Sequence, residues 1–356
     1  MSSCGTFQRG LSLVELMVSV AISAAVLSSL VYVYVGSRGA YRSNEAQARV
    51  QETGRFALEW MSRDLRQAGY LGCLSRGASI TYFSNPAPTI LPGVGQPTVI
   101  GVFGYENGDG FVNPGTVARV RGDVLLATSL DARTITPIAA DTSGNAVSII
   151  ENCGQIAVND VIVVSDCSRA VAVTVTARAN HRCGAGSGAT VLTHASSKND
   201  PAVLPAFLAS ERAFVARLAS GSAGTPTTGY FIGNNRAGRP ALYRFVGASA
   251  AEEVVENVED LDVLYGVDNI NSDGAVDTYQ TAADVTAANQ WPNVLSVRIS
   301  VIVASAEAVD RPGAESQTLY FRDTSGDTVV DAQAAPDDRR LRQVFTTTVA
   351  LRNRLD

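Results

Sequence analysis

Lysine is almost missing from this chain. Lys198 stands alone among 28 basic residues, the charged fraction is 17% and the formal net charge is −6. A surface built to neutralise a phosphate backbone needs clustered positive charge, so nucleic acid is excluded as a direct partner. Histidine is nearly as scarce, with only His181 and His194. There is no Walker sequence, no His-x-x-x-His pair and no nucleophile elbow, and two isolated histidines do not supply a Ser/His/Asp site. These absences argue against an enzyme. No repeat of 20–50 residues is present, nor a collagen or heptad pattern, and 46% hydrophobic residues are too many for a disordered chain. What is abundant is Gly, Ser, Thr and Ala over 356 residues. That composition reads as an exported, β-rich protein with chain enough for one large or two modest domains.

Long apolar runs are also absent, with one exception. Leu11 to Val35 is a 25-residue stretch whose only charged side chain is Glu15. As a helix it spans about 37 Å, more than the roughly 30 Å of bilayer hydrocarbon. Ten residues precede it, polar apart from Phe7 and carrying Arg9. Two plain readings exist: a cleaved secretory signal with its site near Gly36–Ala40, or a simple membrane anchor. Helical patterning that runs on through Gly36–Ala40 speaks against the first.

From Ala46 onward, Ala46, Val50, Gly54, Ala57, Met61 and Leu65 recur at spacings of three and four. Arg49, Glu52, Arg55, Glu59, Arg63 and Arg66 take other faces. The pattern predicts one helix from about Leu13 to Gln67, roughly 80 Å long, apolar all round and then amphipathic. Gly69 ends it. Gly36 and Gly39 weaken the join and are expected to let it bend. Phe56, Trp60, Met61 and Leu65 are expected to feed a domain core.

Beyond Cys73 the chain reads as short strands between turn residues. They are Val99–Tyr105, Asp123–Thr128, Val161–Ser165, Ala170–Thr176, Phe214–Leu218, Gly229–Ile232, Leu242–Val246, Leu261–Tyr265, Val294–Val303, Thr318–Phe321 and Val344–Leu351. The expected fold is α+β: a long amino-terminal helix packed on a mainly antiparallel sheet domain with a β-rich insertion. The expected divisions are 1–10 leader, 11–35 membrane and assembly helix, 36–70 amphipathic half-helix and 71–356 globular domain, with an inserted lobe at about 75–220.

The string Arg9-Gly10-Leu11-Ser12-Leu13-Val14-Glu15 resembles the class III signal of type IV prepilins and type II secretion pseudopilins. The resemblance implies that a prepilin peptidase cuts after Gly10, that Leu11 becomes a methylated amino terminus and that Glu15 is the acidic fifth mature residue. Leu11 departs from the usual Phe. A carboxylate near the end of a membrane helix costs a few kcal/mol unless paired, and the freed amine of a neighbouring subunit supplies a partner. Such a pair fixes axial register in a staggered helical assembly. Gln51–Glu59 with Arg63–Cys73, and Val255–Gly266 with Trp291–Val301, are similar to the PilW-type minor pilins and their pseudopilin J relatives. That likeness implies a minor pilin priming pilus assembly with other minor pilins and the major pilin. It implies the inner-membrane assembly machinery as partner, a single membrane pass with a periplasmic domain, and a place near the fibre tip, serving twitching and adhesion. A secretion pseudopilin, or a membrane-anchored periplasmic binding protein, is the alternative.

Cys4 lies in the leader. Cys73, Cys153, Cys167 and Cys183 remain, allowing three connectivities of two disulfides in an oxidising compartment. The expected pairs are Cys73–Cys153 and Cys167–Cys183, the second closing a loop of about fifteen residues and worth up to roughly 3 kcal/mol. Zinc held by these cysteines with His181 and His194 fits no zinc spacing. Calcium is the one cofactor the sequence suggests. Asn269, Asn271, Asp273 and Asp277 fall at positions 1, 3, 5 and 9 of an EF-hand-like loop with Gly274 at position 6. Position 12, however, is Gln280 rather than Glu. The other reading is a polar turn between strands.

Overall fold

The computed structural model describes residues 12–70, 80–85, 101–112, 115–142, 144–150, 155–179, 189–219, 227–247, 249–270, 273–309, 317–320, 332–334 and 338–354. It begins with α1 (Leu13–Leu65), β1 (Ile80–Tyr82), β2 (Val102–Tyr105), β3 (Arg119–Ala127), β4 (Asp131–Pro137), β5 (Ala146–Ile149) and β6 (Val161–Ser165). Next come β7 (Ala170–Thr174), β8 (Ala177–Ala179), β9 (Thr190–Thr193), β10 (Phe214–Ala219), β11 (Thr228–Asn234), β12 (Pro240–Val246) and β13 (Glu252–Glu256). The chain closes with β14 (Val258–Val267), β15 (Thr278–Gln280), α2 (Ala282–Ala287), β16 (Val294–Ala308), β17 (Thr318–Tyr320), β18 (Ala332–Ala334) and β19 (Arg340–Ala350).

The architecture is α+β, and β1–β7 is the sole parallel pair among the described strands. The amphipathic half of α1 lies on the sheet ordered β15-β14-β16-β19, contacting β16 and β19. Val50, Gly54, Ala57, Met61 and Leu65 are buried as the periodicity predicts, and Ala46 is half-buried. Phe56 and Trp60 correct the expectation: they are 44% and 40% exposed, with ring centroids 5.5 Å apart. At about 100° per residue they project roughly 135° and 95° from the centre of the seam, so apolar character alone does not bring them inside. The helix also stays continuous through Gly36 and Gly39. It ends near Gly69, whose φ of 75° is the left-handed value that favours glycine.

Gly54 is the tightest point of the seam. A Cβ placed there would lie 2.3 Å from the Phe345 ring on β19. We expect Gly54→Ala to destabilise the protein by about 1 kcal/mol, because overpacking of about 1–3 kcal/mol outweighs the roughly 1 kcal/mol gained in helix propensity. Thermal melts would check the sign, and adding Phe345→Ala should make Gly54→Ala neutral or stabilising.

A second sheet, ordered β13-β12-β11-β3-β2, crosses the first where β3 meets β14. Gly122 (φ 70°) sits at that crossing, where a Cβ would come 2.5 Å from Asp260 Oδ1. The Arg121-Gly122-Asp123 tripeptide lies within β3, at an irregularity in its pairing with β11. A third sheet, β1-β7-β6-β10-β4, is buried on both faces: Val161 and Val163 of β6 join the main core, while Ile162 and Val164 join a separate one with Val147, Ile149 and Leu192 of the small sheet β5-β9-β8. Alternate side chains on opposite faces explain this double use of one strand. Residues 102–127 return to pair with β11, because Val124, Leu125 and Leu126 are needed in the main core.

Candidate assembly site

Two halves of one helix make up the site. In the first, an 18-residue window has a mean hydropathy of 2.2 and is 0% buried, so the helix is long and apolar enough to cross a membrane. Its serines do not spoil that surface. Ser19, Ser23, Ser28 and Ser29 hydroxyls donate to the carbonyls of Leu16, Ser19, Ala24 and Ala25 at 2.9, 2.7, 2.7 and 3.0 Å. These four hydroxyls are thereby satisfied within the helix, as hydrocarbon requires.

Ser12 starts the helix. Its Oγ accepts from the Glu15 N–H at 3.2 Å, so Ser12-Leu13-Val14-Glu15 has the spacing of a capping box. The sequence reading overlooked this role of Ser12, although Ser-x-x-Glu before an apolar run is a legible signal. Glu15 thus stands in the first helical turn, where its charge favours the helix dipole and its side chain is exposed. Gly10 and Leu11 lie outside the described residues.

The second half is locked to the domain by polar ties that no local pattern announced. Asp64 Oδ2 accepts from Arg244 Nε at 2.9 Å and from Tyr230 Oη at 2.5 Å. Tyr230 is fully buried, and burial together with Asp64 holds its hydroxyl protonated far above the ordinary range. At the end of the helix, Asn353 Nδ2 donates to the carbonyls of Arg66, Gln67 and Ala68 at 3.4, 3.5 and 3.1 Å. Asn353 therefore covers carbonyls of the turn that follows Leu65.

The remaining candidates are placed differently. Cys167 is disulfide-bonded, with its partner outside the described residues, as are Cys73, Cys153 and Cys183. In the suspected calcium loop, Asp277 Oδ2 accepts the N–H groups of Asn269 and Ile270 at 2.8 and 2.9 Å, and Asp273 Oδ1 accepts from Ala275 N–H at 2.9 Å. These carboxylates hold the loop's own backbone in the manner of Asx turns. Asn271 lies outside the described residues. Among the described residues no three His, Cys, Asp or Glu side chains converge as metal ligands. Asp123 is likewise turned inward, accepting from Asn107 and Val263 N–H at 2.8 and 2.9 Å, and burial raises its pKa to about 6.

His194 is 1% exposed, and burial lowers its pKa against backbone hydrogen bonds with Ala202 and its own peptide that raise it. The folded chain keeps it neutral, whereas the unfolded chain takes up a proton below about pH 6.5. Stability attributable to this group is therefore lost as pH falls below about 6.5, by at most about 1.4 kcal/mol per unit. Asp123 works in the opposite direction, since a folded pKa near 6 lies above its unfolded value and stabilises as pH falls. Denaturant titrations at pH 7 and 5 should show His194→Leu losing less stability than the wild type over that interval, by up to about 2 kcal/mol.

Residues 229–353 match the family described as Type IV Pilus-assembly protein W, and residues 6–31 match the prokaryotic N-terminal methylation motif. Neither the curated proteins nor the solved structures yielded a significant match. The first match runs from β11 through Asn353 and so includes the sheet under α1, along with Tyr230 and Arg244. A bare apolar rod that opens with a methylation motif and is locked onto a β-sheet domain defines the pilin class. Within that class, the PilW-like region at 229–353 and the methylation motif at 6–31 support a type IV pilus-related pilin.

Proposed function

We propose that the chain is a minor pilin, a structural subunit that helps prime the type IV pilus. Prepilin peptidase cuts between Gly10 and Leu11, the new amine is methylated, and the domain remains on the periplasmic side of the inner membrane. Glu15 pairs with the amino terminus of an adjacent subunit as the rods stack, with other minor pilins and the major pilin as neighbours near the fibre tip. Twitching and adhesion follow from the fibre rather than from chemistry in this domain. Disulfides Cys73–Cys153 and Cys167–Cys183 brace the domain in an oxidising compartment. The single observation that carries this reading is the fixed register of Gly10, Leu11 and Glu15 ahead of a rod whose apolar surface is wholly exposed. Amino-terminal sequencing of the cellular protein tests it. A mature chain beginning with methylated Leu11 is expected, and an intact Gly10–Leu11 bond would overturn the assignment.

A further inference from the structure

The apolar half of α1 has a defined exit from the bilayer. About twenty helical residues cross the roughly 30 Å of hydrocarbon. Counted back from Val35, such a span begins at Leu16, so Glu15 lies at one boundary and Tyr34 at the other. The headgroup layer adds about 5–7 Å on each side. Arg38 and Arg42 stand about 5 and about 10 Å past Val35 along the axis. Helix side chains lean toward the amino end, here back toward the bilayer, so Arg42 reaches the same layer.

α1 is continuous through this exit, and spacing therefore fixes the faces. Tyr34, Arg38, Tyr41 and Arg42 stand at i, i+4, i+7 and i+8, within an arc of about 100°. The centre of that arc lies roughly 150° from the seam that meets the sheet. The globular domain leaves it bare: Tyr34 and Tyr41 are 67% and 76% exposed, and both arginines are exposed. Gly36 and Gly39 add open space, since a Cβ at either would meet nothing within 4 Å.

The charge here is not balanced within the chain. Residues 16–44 hold Arg38 and Arg42 and no acid. Glu45, the next acid, is taken by Arg49 at 2.8 Å, and no described residue pairs with Arg38 or Arg42. Side chains four apart on a helix are neighbours, with Cβ atoms about 5–6 Å from each other, so both guanidinium forks can hold one phosphate. A tyrosine at this depth keeps its ring at the hydrocarbon margin and its hydroxyl among headgroups.

We propose that Tyr34, Arg38, Tyr41 and Arg42 bind the headgroup of an anionic phospholipid in the leaflet on the domain's side of the membrane, with its phosphate between the two guanidiniums. This rests on the membrane reading of α1 and not on fibre assembly. Position and charge select the partner: the stripe continues a surface that already lies in lipid, and the layer at that depth supplies phosphates. A bound headgroup sets the depth at which the rod stands in the bilayer.

The test uses the full chain in nanodiscs of equimolar phosphatidylglycerol and phosphatidylcholine, with retained lipid read by native mass spectrometry. One retained phosphatidylglycerol is expected, in preference to phosphatidylcholine, whose choline cancels the phosphate charge. Arg38→Gln and Arg42→Gln should each lower that retention about fivefold, and the two together should abolish the preference. Arg38→Ala combined with Ala40→Arg keeps the net charge at exposed positions but turns the guanidinium roughly 160° away. It should lower retention as far as Arg38→Gln does. Circular dichroism confirms that each variant is helical in the disc. A preference that survives the double Gln variant, full retention by the Arg38–Ala40 exchange, or equal retention of both lipids by the unaltered chain overturns the site alone. A chain that does not enter the disc overturns the membrane reading, and the site with it.

Discussion

Glu15→Gln should leave the protein folded and membrane-inserted but nearly absent from sheared fibres. The substitution removes an acid from an apolar rod, which lowers the cost of insertion by a few kcal/mol. What is lost is the partner for a neighbouring amine. Two unit charges about 4 Å apart at an effective dielectric near 20 attract by about 4 kcal/mol, so incorporation should fall by two to three orders of magnitude. Quantitative immunoblotting of fibre and membrane fractions separates the two effects. Glu15→Asp keeps the charge on a shorter stem and should retain part of the incorporation. Normal fibre levels with Gln would show that the carboxylate does not set the register.

Loss of Glu259 should have the largest effect on the domain itself. Its carboxylate receives Arg342 Nε and Nη2 at 2.6 and 3.0 Å and Arg340 Nη1 at 2.9 Å. The Arg342 side chain is 1% exposed and that of Glu259 9%, so neither is solvated. Arg342 also grips Asp338 through Nη1 and Nη2 at 2.6 Å each, which holds the Asp338 carboxyl down at about 2. This network closes β19 against the start of β14. Glu259→Ala leaves Arg342 with Asp338 as its one carboxylate and Arg340 with the neutral acceptors of Ser305 and Asn257, and should cost about 3–5 kcal/mol. A fall in melting temperature of roughly 10 °C follows for a domain of this size. Glu259→Gln, which keeps volume and acceptor oxygen, should cost less. A change of only a degree or two for Glu259→Ala would mean that water reaches the site.

Particular residues show where sequence reasoning succeeds. Val50, Gly54, Ala57, Met61 and Leu65 were legible because helical spacing is a local, one-dimensional signal that burial then obeys. The runs 161–165, 214–218, 242–246 and 294–303 were legible as apolar stretches bounded by turns, and they fall within β6, β10, β12 and β16. β13 was missed because Glu252, Glu253 and Glu256 make an exposed, charged strand look like a loop. Phe56 and Trp60 went astray because hydrophobicity was weighed above angle on the helix.

By itself the sequence determined the exposed rod, its lone acid in register with Gly10, the buried seam of the second half and the presence of most strands. All of these arise from neighbours within a few residues, where spacing alone decides which side a group faces. The tertiary structure alone decided that Asp64 meets Tyr230 and Arg244, 166 and 180 residues away, that 102–127 pairs with β11, and that α1 lies against β16 and β19. Contacts between distant segments depend on how whole sheets are placed against one another, and no short stretch of chain encodes that placement.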